Sequence, residues 1–479
     1  MNIKKVLNYI GIMMMLEAML LVLPLIVSII YKESSGLSFI YVGIPLFAIG
    51  FLLYKLFASD DKFYSAEGFV TVALGWFVLS IFGALPFVVS KEIPNFLDAL
   101  FETVSGFTTT GATILTDVTR LSKCMLFWRS FTHFVGGMGV LVLMLAIIPT
   151  KSENMQIMKA ESPGPKVGKL VSKVSDSAKT LYFIYIFLTL LAIVSYKLSG
   201  MPLFDSICIG FGTAGTGGFV VTANGCADYS HLSQTLIGIY MLVFGVNFNI
   251  YFLILIKKFK DAFFSEELRV YLCIVFISVV LIVINISNLY ANVGEAIHTA
   301  FFHVSSIITT TGFAIGDYTV WHDFSQVMLL LLMICGACAG STAGGMKVSR
   351  VVISFKSAMN EIYTQLHPNS VKVIKFEDKP VDKSTIQTVS SYVTIYFIIC
   401  LIGMLLISLD DKDFTTTVSS VIETFNNIGQ GLSQIGPRGN FSIFNYFSKF
   451  VFTILMLTGR LEIFPVIILF SKKTWKRNI

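Results

Sequence analysis

The sequence predicts an all-α polytopic membrane protein, with four span–pore-helix–span repeats in pseudo-fourfold symmetry around one pore, plus an N-terminal two-span appendage. Three observations carry that expectation. Hydrophobic residues fill 55% of the 479 positions and charged residues 13%, with a mean hydropathy of +0.77. This balance suits a chain surrounded largely by lipid and excludes an ordinary soluble globule. Segments such as Asn95 to Gly106 and Gly294 to Ile307 are apolar yet short. At about 1.5 Å per helical residue, neither crosses a hydrocarbon core roughly 30 Å thick. Each is followed by a Thr/Gly turn, Phe107-Thr-Thr-Thr-Gly-Ala-Thr113 or Ile308-Thr-Thr-Thr-Gly-Phe313, and then by a second apolar span. A half-crossing must turn back, and non-helical backbone at membrane depth is tolerated only where protein buries it or water wets it. The turns should therefore line a cavity.

Taken in order, Val6 to Ile30 and Phe39 to Phe57 read as a hairpin of spans joined by Lys32-Glu-Ser-Ser-Gly36. Met1 to Lys5 is basic, but the apolar run behind it is long and lacks a small-residue cleavage site, so it reads as a retained span. A repeating unit begins at Ala66. The first unit has spans Ala66 to Ser90 and Lys123 to Pro149. The second has Ala178 to Ser199, a half-helix Pro202 to Gly210, the turn Thr213-Ala-Gly-Thr-Gly-Gly-Phe219 and a span His231 to Ile256. The third has Glu266 to Ser287, its half-helix and turn, and an interrupted span Trp321 to Val352. The fourth has Ser384 to Leu409, a half-helix Asp413 to Phe425, the turn Asn426-Asn-Ile-Gly-Gln-Gly-Leu432 and Phe444 to Phe470. The expected division is a hairpin over 1–62 and repeats over 63–150, 151–260, 261–356 and 357–479. Pro94 with Asp98, Pro202 with Asp205, Glu295 and Asp413 stand where a helix N-terminus favours Pro or an acid.

Most of the 35 Lys and Arg residues fall in the termini and loops that an inside N-terminus makes cytoplasmic, which fixes the orientation. The net charge of +6 follows from those loops and calls for no nucleic acid. Two long loops, Thr150 to Lys179 and Lys356 to Lys383, are Lys-rich, either as topology determinants or as a docking surface. The seven cysteines lie in or beside apolar segments, so no disulfide framework is implied.

The turns carry the chemistry. Thr109, Thr110 and Gly111; Thr216, Gly217 and Gly218; Thr310, Thr311 and Gly312; and Asn427, Ile428 and Gly429 offer oxygens at the C-terminal, negative ends of four half-helices. Four such loops can replace the hydration shell of a dehydrated cation, with Gly allowing backbone that a Cβ would forbid. A single such turn could equally be an ordinary helix cap. Gly218 is preferred over Gly217 because it precedes Phe219 as Gly312 precedes Phe313. In Gly336-Ala-Cys-Ala-Gly-Ser-Thr-Ala-Gly-Gly345, four glycines undermine a helix at roughly 1 kcal/mol each. Gly336, Gly340, Ser341, Thr342, Ala343, Gly344 and Gly345 thus form an irregular loop that either obstructs the conduit as a gate or packs small residues between spans. Arg460 is a charge within the last span. It either raises the barrier to cations or pairs with Glu462, Glu102 or Glu423. Arg129 should anchor backbone carbonyls. The six scattered histidines do not suggest metal catalysis, and an intramembrane enzyme built on Ser341 would lack a convergent base.

With these features the chain resembles the TrkH family of bacterial potassium-uptake subunits, in the superfamily of Trk, Ktr and HKT transporters. The resemblance runs through Phe127-Trp-Arg-Ser-Phe-Thr-His-Phe-Val-Gly-Gly-Met-Gly139, Glu161-Ser-Pro-Gly-Pro165, Ala339-Gly-Ser-Thr-Ala-Gly-Gly-Met-Lys347 and Thr458-Gly-Arg-Leu-Glu-Ile-Phe464. It implies K⁺ and Rb⁺ permeation, Gly111, Gly218, Gly312 and Gly429 as filter glycines, and flow limited by the loop at Gly340 to Gly345 and by Arg460. It further implies a homodimer in the lipid bilayer of the bacterial cytoplasmic (inner) membrane, with both termini cytoplasmic. A cytoplasmic TrkA-type nucleotide-binding ring would control opening, and no cofactor would be bound by this chain itself. The second turn is richer in Gly than is usual in the family, and Gln430 stands where Pro is common. The turns alone do not set K⁺ against Na⁺, so a Na⁺-coupled or Na⁺-permeable relative is the second reading.

Overall fold

A computed structural model describes residues 1–58, 64–139, 174–369 and 373–475. The expected end of the first repeat's second span at Pro149, the Glu161 to Pro165 motif and the lysines from Lys151 to Lys173 lie outside the described residues.

The hairpin comprises α1 (Ile3–Leu20), α2 (Val22–Tyr31) and α3 (Leu37–Leu56). Gly11 and Gly50 let α1 and α3 meet backbone to backbone: a Cβ on Gly11 would lie 2.6 Å from the Gly50 carbonyl oxygen, the close approach that small residues permit inside a membrane. Though an appendage in sequence, the hairpin is fastened to the first repeat. Glu33 in its connecting loop accepts the N–H groups of Lys123 at 2.7 Å and Cys124 at 2.9 Å, capping the helix that begins there.

The repeats follow. The first holds α4 (Ser65–Val89), the half-helix α5 (Phe96–Phe107) and α6 (Lys123–Gly137). The second holds α7 (Val174–Leu198), the half-helix α8 (Leu203–Gly215), α9 (His231–Phe244), α10 (Phe248–Leu255) and the short α11 (Phe259–Phe263). The third holds α12 (Glu266–Ile286), the half-helix α13 (Val293–Ile308), α14 (Asp323–Cys335) and α15 (Val348–Leu366). A two-stranded hairpin, β1 (Lys375–Phe376) and β2 (Lys379–Pro380), leads into the fourth. That repeat has α16 (Lys383–Ile407), the half-helix α17 (Phe414–Phe425), α18 (Tyr446–Arg460), α19 (Phe464–Phe470) and α20 (Lys472–Trp475). The half-helices start where the sequence signalled them, though at the first and third the capping side chain is an Asn beside the Pro or acid that marked the start. Asn95, Asn292 and Asp413 cap α5, α13 and α17 with their side chains, and Pro202 precedes α8.

Packing closes the repeats into a ring. The helix after each half-helix packs on the next half-helix: α6 on α8, α9 on α13, α14 on α17, and α18 back on α5. That cyclic order is the pseudo-fourfold arrangement in physical form.

The spans differ from expectation in one systematic way. Among the described residues, six helices are long and apolar enough to cross a membrane, or up to eight if each bent pair is one span, against the ten continuous or once-interrupted spans expected. The span His231 to Ile256 is broken between α9 and α10 by 87°, and Phe444 to Phe470 between α18 and α19 by 118°. At the first break Asn247 caps α10 through Asn249 N–H, and Phe248 N–H donates to the Gly340 carbonyl of the third repeat. At the second, Glu462 and Ile463 adopt φ of +52° and +71°, and Pro465 restarts the helix where its missing N–H is harmless. Interruption is thus a property of the second, third and fourth repeats, not of the third alone. The second half-helix is also longer than expected: Thr213, Ala214 and Gly215 are helical, not part of the turn.

Candidate functional site

Each half-helix ends in the same cap. The N–H groups of Thr110, Gly217, Thr311 and Ile428 donate five residues back, to Ser105, Gly212, Ser306 and Glu423, at 2.8 to 2.9 Å. The N–H groups of Thr109, Thr216, Thr310 and Asn427 donate three residues back. This is the double bond pattern that terminates helices, which usually places Gly at the left-handed position. Here that position holds Thr109, Thr216, Thr310 and Asn427, with φ of +54° to +56°. The capped-helix and lined-cavity alternatives are therefore not exclusive: the turns are caps, but the glycines lie two residues beyond the capping position. This common register aligns Gly111, Gly218, Gly312 and Gly429, and sets Gly217 level with Thr110, Thr311 and Ile428.

These glycines abut one another. A Cβ on Gly111 would lie 2.0 Å from the Gly217 oxygen and 3.3 Å from Gly429 Cα. One on Gly218 would lie 2.0 Å from the Thr311 oxygen, one on Gly312 2.6 Å from Gly429 N, and one on Gly429 2.8 Å from the Gly111 carbonyl carbon. The four turns thus touch in sequence and close on themselves. Gly111, Gly218 and Gly312 also have φ of +81° to +85°, a region that favours glycine.

The ring is supported from behind by contacts that the sequence did not foretell. His133 Nδ1 lies 2.8 Å from the Gly106 carbonyl, and its Nε2 accepts Phe219 N–H at 3.3 Å, so one buried imidazole joins the first half-helix to the second turn. Gly136 and Gly459 are matched seats: a Cβ on either would fall within 2 Å of the Phe107 or Phe425 carbonyl oxygen. Asn427 Nδ2 donates to Thr110 Oγ1 at 3.0 Å and to the Met456 carbonyl at 2.9 Å, linking the fourth turn to the first.

Arg129 departs from its expected role. Its main partner is a carboxylate: Nε donates to Glu102 Oε1 at 2.8 Å, and one donor reaches the Val220 carbonyl at 3.2 Å. Its guanidinium carbon lies 3.8 Å from the Phe219 ring centre. Glu102 in turn accepts Ile114 N–H and the Thr113 hydroxyl, bracing the strand of chain beyond Gly111. Both charged side chains are nearly fully buried. Removing one partner of such a pair strands the other, so a Glu102→Ala variant is expected to lose about 3–5 kcal/mol. The thermal midpoint of the detergent-solubilised protein measures this, and Glu102→Ala/Arg129→Leu should recover part of the loss.

Residues 336–347 form an irregular segment between α14 and α15, against the C-terminal ends of the half-helices. Gly344 N–H donates to Thr310 Oγ1 at 2.7 Å, and a Cβ on Gly344 would lie 2.3 Å from the Asn426 oxygen. Gly336, Gly340 and Gly345 have φ of +67° to +77°. Ser341 Oγ donates to the Cys338 carbonyl, and Lys347 Nζ to that of Ala343. Arg460 Nη1 donates to the Thr342 carbonyl at 2.9 Å, and Nη2 to the carbonyls of Gly136 and Gly137. The acids named as its possible partners are engaged elsewhere or stand apart: Glu462 pairs with Arg350, Glu102 with Arg129, and neither oxygen of buried Glu423 has a hydrogen-bond partner among the described residues.

The family model TrkH, described as cation transport protein, matches residues 38–478. The chain belongs to the TrkH family. It is 34% identical over 486 residues to the Trk system potassium uptake protein TrkH of Salmonella typhimurium (strain LT2), covering 99% of this chain and 100% of that one. It is 33% identical over 483 residues to the Trk system potassium uptake protein TrkG of Escherichia coli (strain K12), covering 99% of each. Its fold matches the crystal structure of the potassium transporter TrkH from Vibrio parahaemolyticus, with a TM-score of 0.89 and 29% identity over 99% of this chain and all of the other. TrkH family members are transport proteins, and this chain is accordingly a multi-pass membrane protein, not an enzyme.

Proposed function

We propose that this chain is the potassium- and rubidium-translocating subunit of a Trk-type uptake system. The closed ring of Gly111, Gly218, Gly312 and Gly429, each two residues past a left-handed Thr or Asn, is the observation that carries the reading. Four converging helix C-termini and the backbone oxygens of 109–111, 216–218, 310–312 and 427–429 suit a cation stripped of water, whose entry without ligands would cost tens of kcal/mol. The segment Gly336 to Gly345, stapled by Arg460, serves as the gate beneath this filter. The names of the relatives, potassium uptake proteins TrkH and TrkG, favour K⁺ as the transported ion.

The lysines of the N-terminus and of the loops around Lys257 and Lys356 favour an inside N-terminus in the bacterial inner membrane, with the C-terminus also cytoplasmic. A homodimer, a cytoplasmic nucleotide-binding ring docked on the Lys-rich loops, and the five-part division ending at 62, 150, 260, 356 and 479 complete the proposal. In reconstituted vesicles with its regulator, the protein should take up Rb⁺, K⁺ should compete, and Na⁺ should compete more weakly. Equal competition by Na⁺ would favour a Na⁺-permeable relative instead. No Rb⁺ or K⁺ movement would overturn the proposal.

A further inference from the structure

The segment beneath the turns is tied to the cytoplasmic side through one carboxylate. Glu267, the second residue of α12, is 2% exposed. Its Oε1 accepts the N–H of Ala339 at 2.7 Å and of Ser349 at 3.2 Å, while Asn247 Nδ2 donates to Oε2 at 3.4 Å. Ala339 stands in the first half of the irregular segment and Ser349 just past its end, so a single side chain bridges the two. Asn247 lies against the same stretch: a Cβ on Gly340 would sit 3.1 Å from its Oδ1. The bend after α9 closes the bracket, with Cys338 N–H donating to the Gly245 carbonyl at 3.1 Å.

The other side of this helix end is held by the β1–β2 hairpin. Glu377 accepts the Ser265 hydroxyl at 2.8 Å and the N–H groups of Glu266 at 3.1 Å and Glu267 at 3.0 Å, satisfying donors at the positive end of α12. Glu377 and Asp378 are the two central residues of the hairpin turn, both left-handed at φ +53° and +58°. Two-residue turns of this kind normally use Asn and Gly, so the Glu-Asp pair is a conformationally costly choice that aims a carboxylate at the helix. Lys356, on the helix leaving the irregular segment, pairs with Glu266 and donates to the Lys375 carbonyl at 2.8 Å. Hairpin, α12 and α15 therefore meet at one point, directly behind Glu267.

We propose that Glu267 is the positioning residue that holds the segment 336–347 beneath the ring, and that Glu377 of the cytoplasmic hairpin fixes Glu267 in place. Through this contact, a partner that moves the hairpin would loosen the segment without touching it. The role in flow rests on the reading of that segment as the gate; the positioning itself does not.

The test uses the full-length protein with Cys338, which is buried, as its sole cysteine, in vesicles without regulator. Two readouts are taken: labelling of Cys338 by a small thiol reagent, and Rb⁺ flux. Losing hydrogen bonds to a charged acceptor shifts a local equilibrium about tenfold or more. Glu267→Ala should therefore speed labelling and flux by about that factor. Glu267→Gln, which keeps an acceptor oxygen, should return both towards the parent. Glu377→Ala should move both in the same direction, by about threefold, since the Glu267 bonds are weakened and not removed. That graded rescue separates positioning from general misfolding. Labelling unchanged in Glu267→Ala overturns the proposal whatever the flux does. Labelling that rises while flux stays at the parental level keeps the positioning and overturns the gate reading instead. Glu377→Ala indistinguishable from the parent removes the hairpin from the proposal.

Discussion

Rubidium flux through a Gly218→Ala variant is expected to fall by at least about a hundredfold, although the protein still inserts and remains monodisperse. The added methyl would sit 2.0 Å from the Thr311 oxygen and 3.3 Å from the Gly312 carbonyl carbon. Both are backbone atoms of the adjoining turn, so no side chain can swing aside. Overpacking of this kind costs typically 1–3 kcal/mol, and the left-handed φ of +81° adds a further penalty for any residue with a Cβ. The ring can absorb this only by moving the oxygens it presents. Gly111→Ala, facing the Gly217 oxygen at the same 2.0 Å, should behave alike. Gly316→Ala is the control: nothing lies within 4 Å of its would-be Cβ, and its flux should match the parent. Parental flux and parental preference for Rb⁺ over Na⁺ in Gly218→Ala would remove the ring from the conduction path.

Arg460→Ala is expected to act in the opposite direction, raising regulator-free flux at least about tenfold. The guanidinium ties the Thr342 carbonyl of the irregular segment to the carbonyls at the end of α6. Without it those buried acceptors lose their donor, at about 1–3 kcal/mol each, and the segment gains by moving to water. Arg460→Lys should lie between, because an ammonium cannot fork to several carbonyls as a planar guanidinium does. Vesicle flux of the three proteins at matched density is the measurement. A folded Arg460→Ala protein with unchanged flux would show that the segment is retained by other contacts.

Architecture was legible where single residues announce themselves. Segments too short for a bilayer, opened by Pro94 with Asp98, Pro202 with Asp205, Glu295 and Asp413, marked the half-helices. The glycines between Gly336 and Gly345 marked the third break. The break at Gly245 to Asn247 carried a signal that hydropathy hid: a glycine followed two residues later by a capping Asn, inside an unbroken apolar run. The break at Glu462 and Ile463 was marked only indirectly, by Pro465 beyond it; the two residues themselves carried no signal. Neither residue favours positive φ, and what holds them is the distant Arg350, whose guanidinium pairs with Glu462. The same limit applied to the supports of the ring. Glu102 with Arg129, and Asn427 with Thr110, join positions far apart in sequence, and His133 was visible only as part of a motif. Spacing shows which residues share a helix face, not which turn a neighbouring repeat will press against it.

The contact between Gly111 and Gly429 unites the earliest turn with the latest. During synthesis the first three quarters of this chain can insert and pack only as an open horseshoe, whose inner edge awaits its last neighbour. The seam is sealed when the final helices arrive. A chain stopped before that point would leave the ring open along one edge, where Gly111 would lack the neighbour that Gly429 supplies.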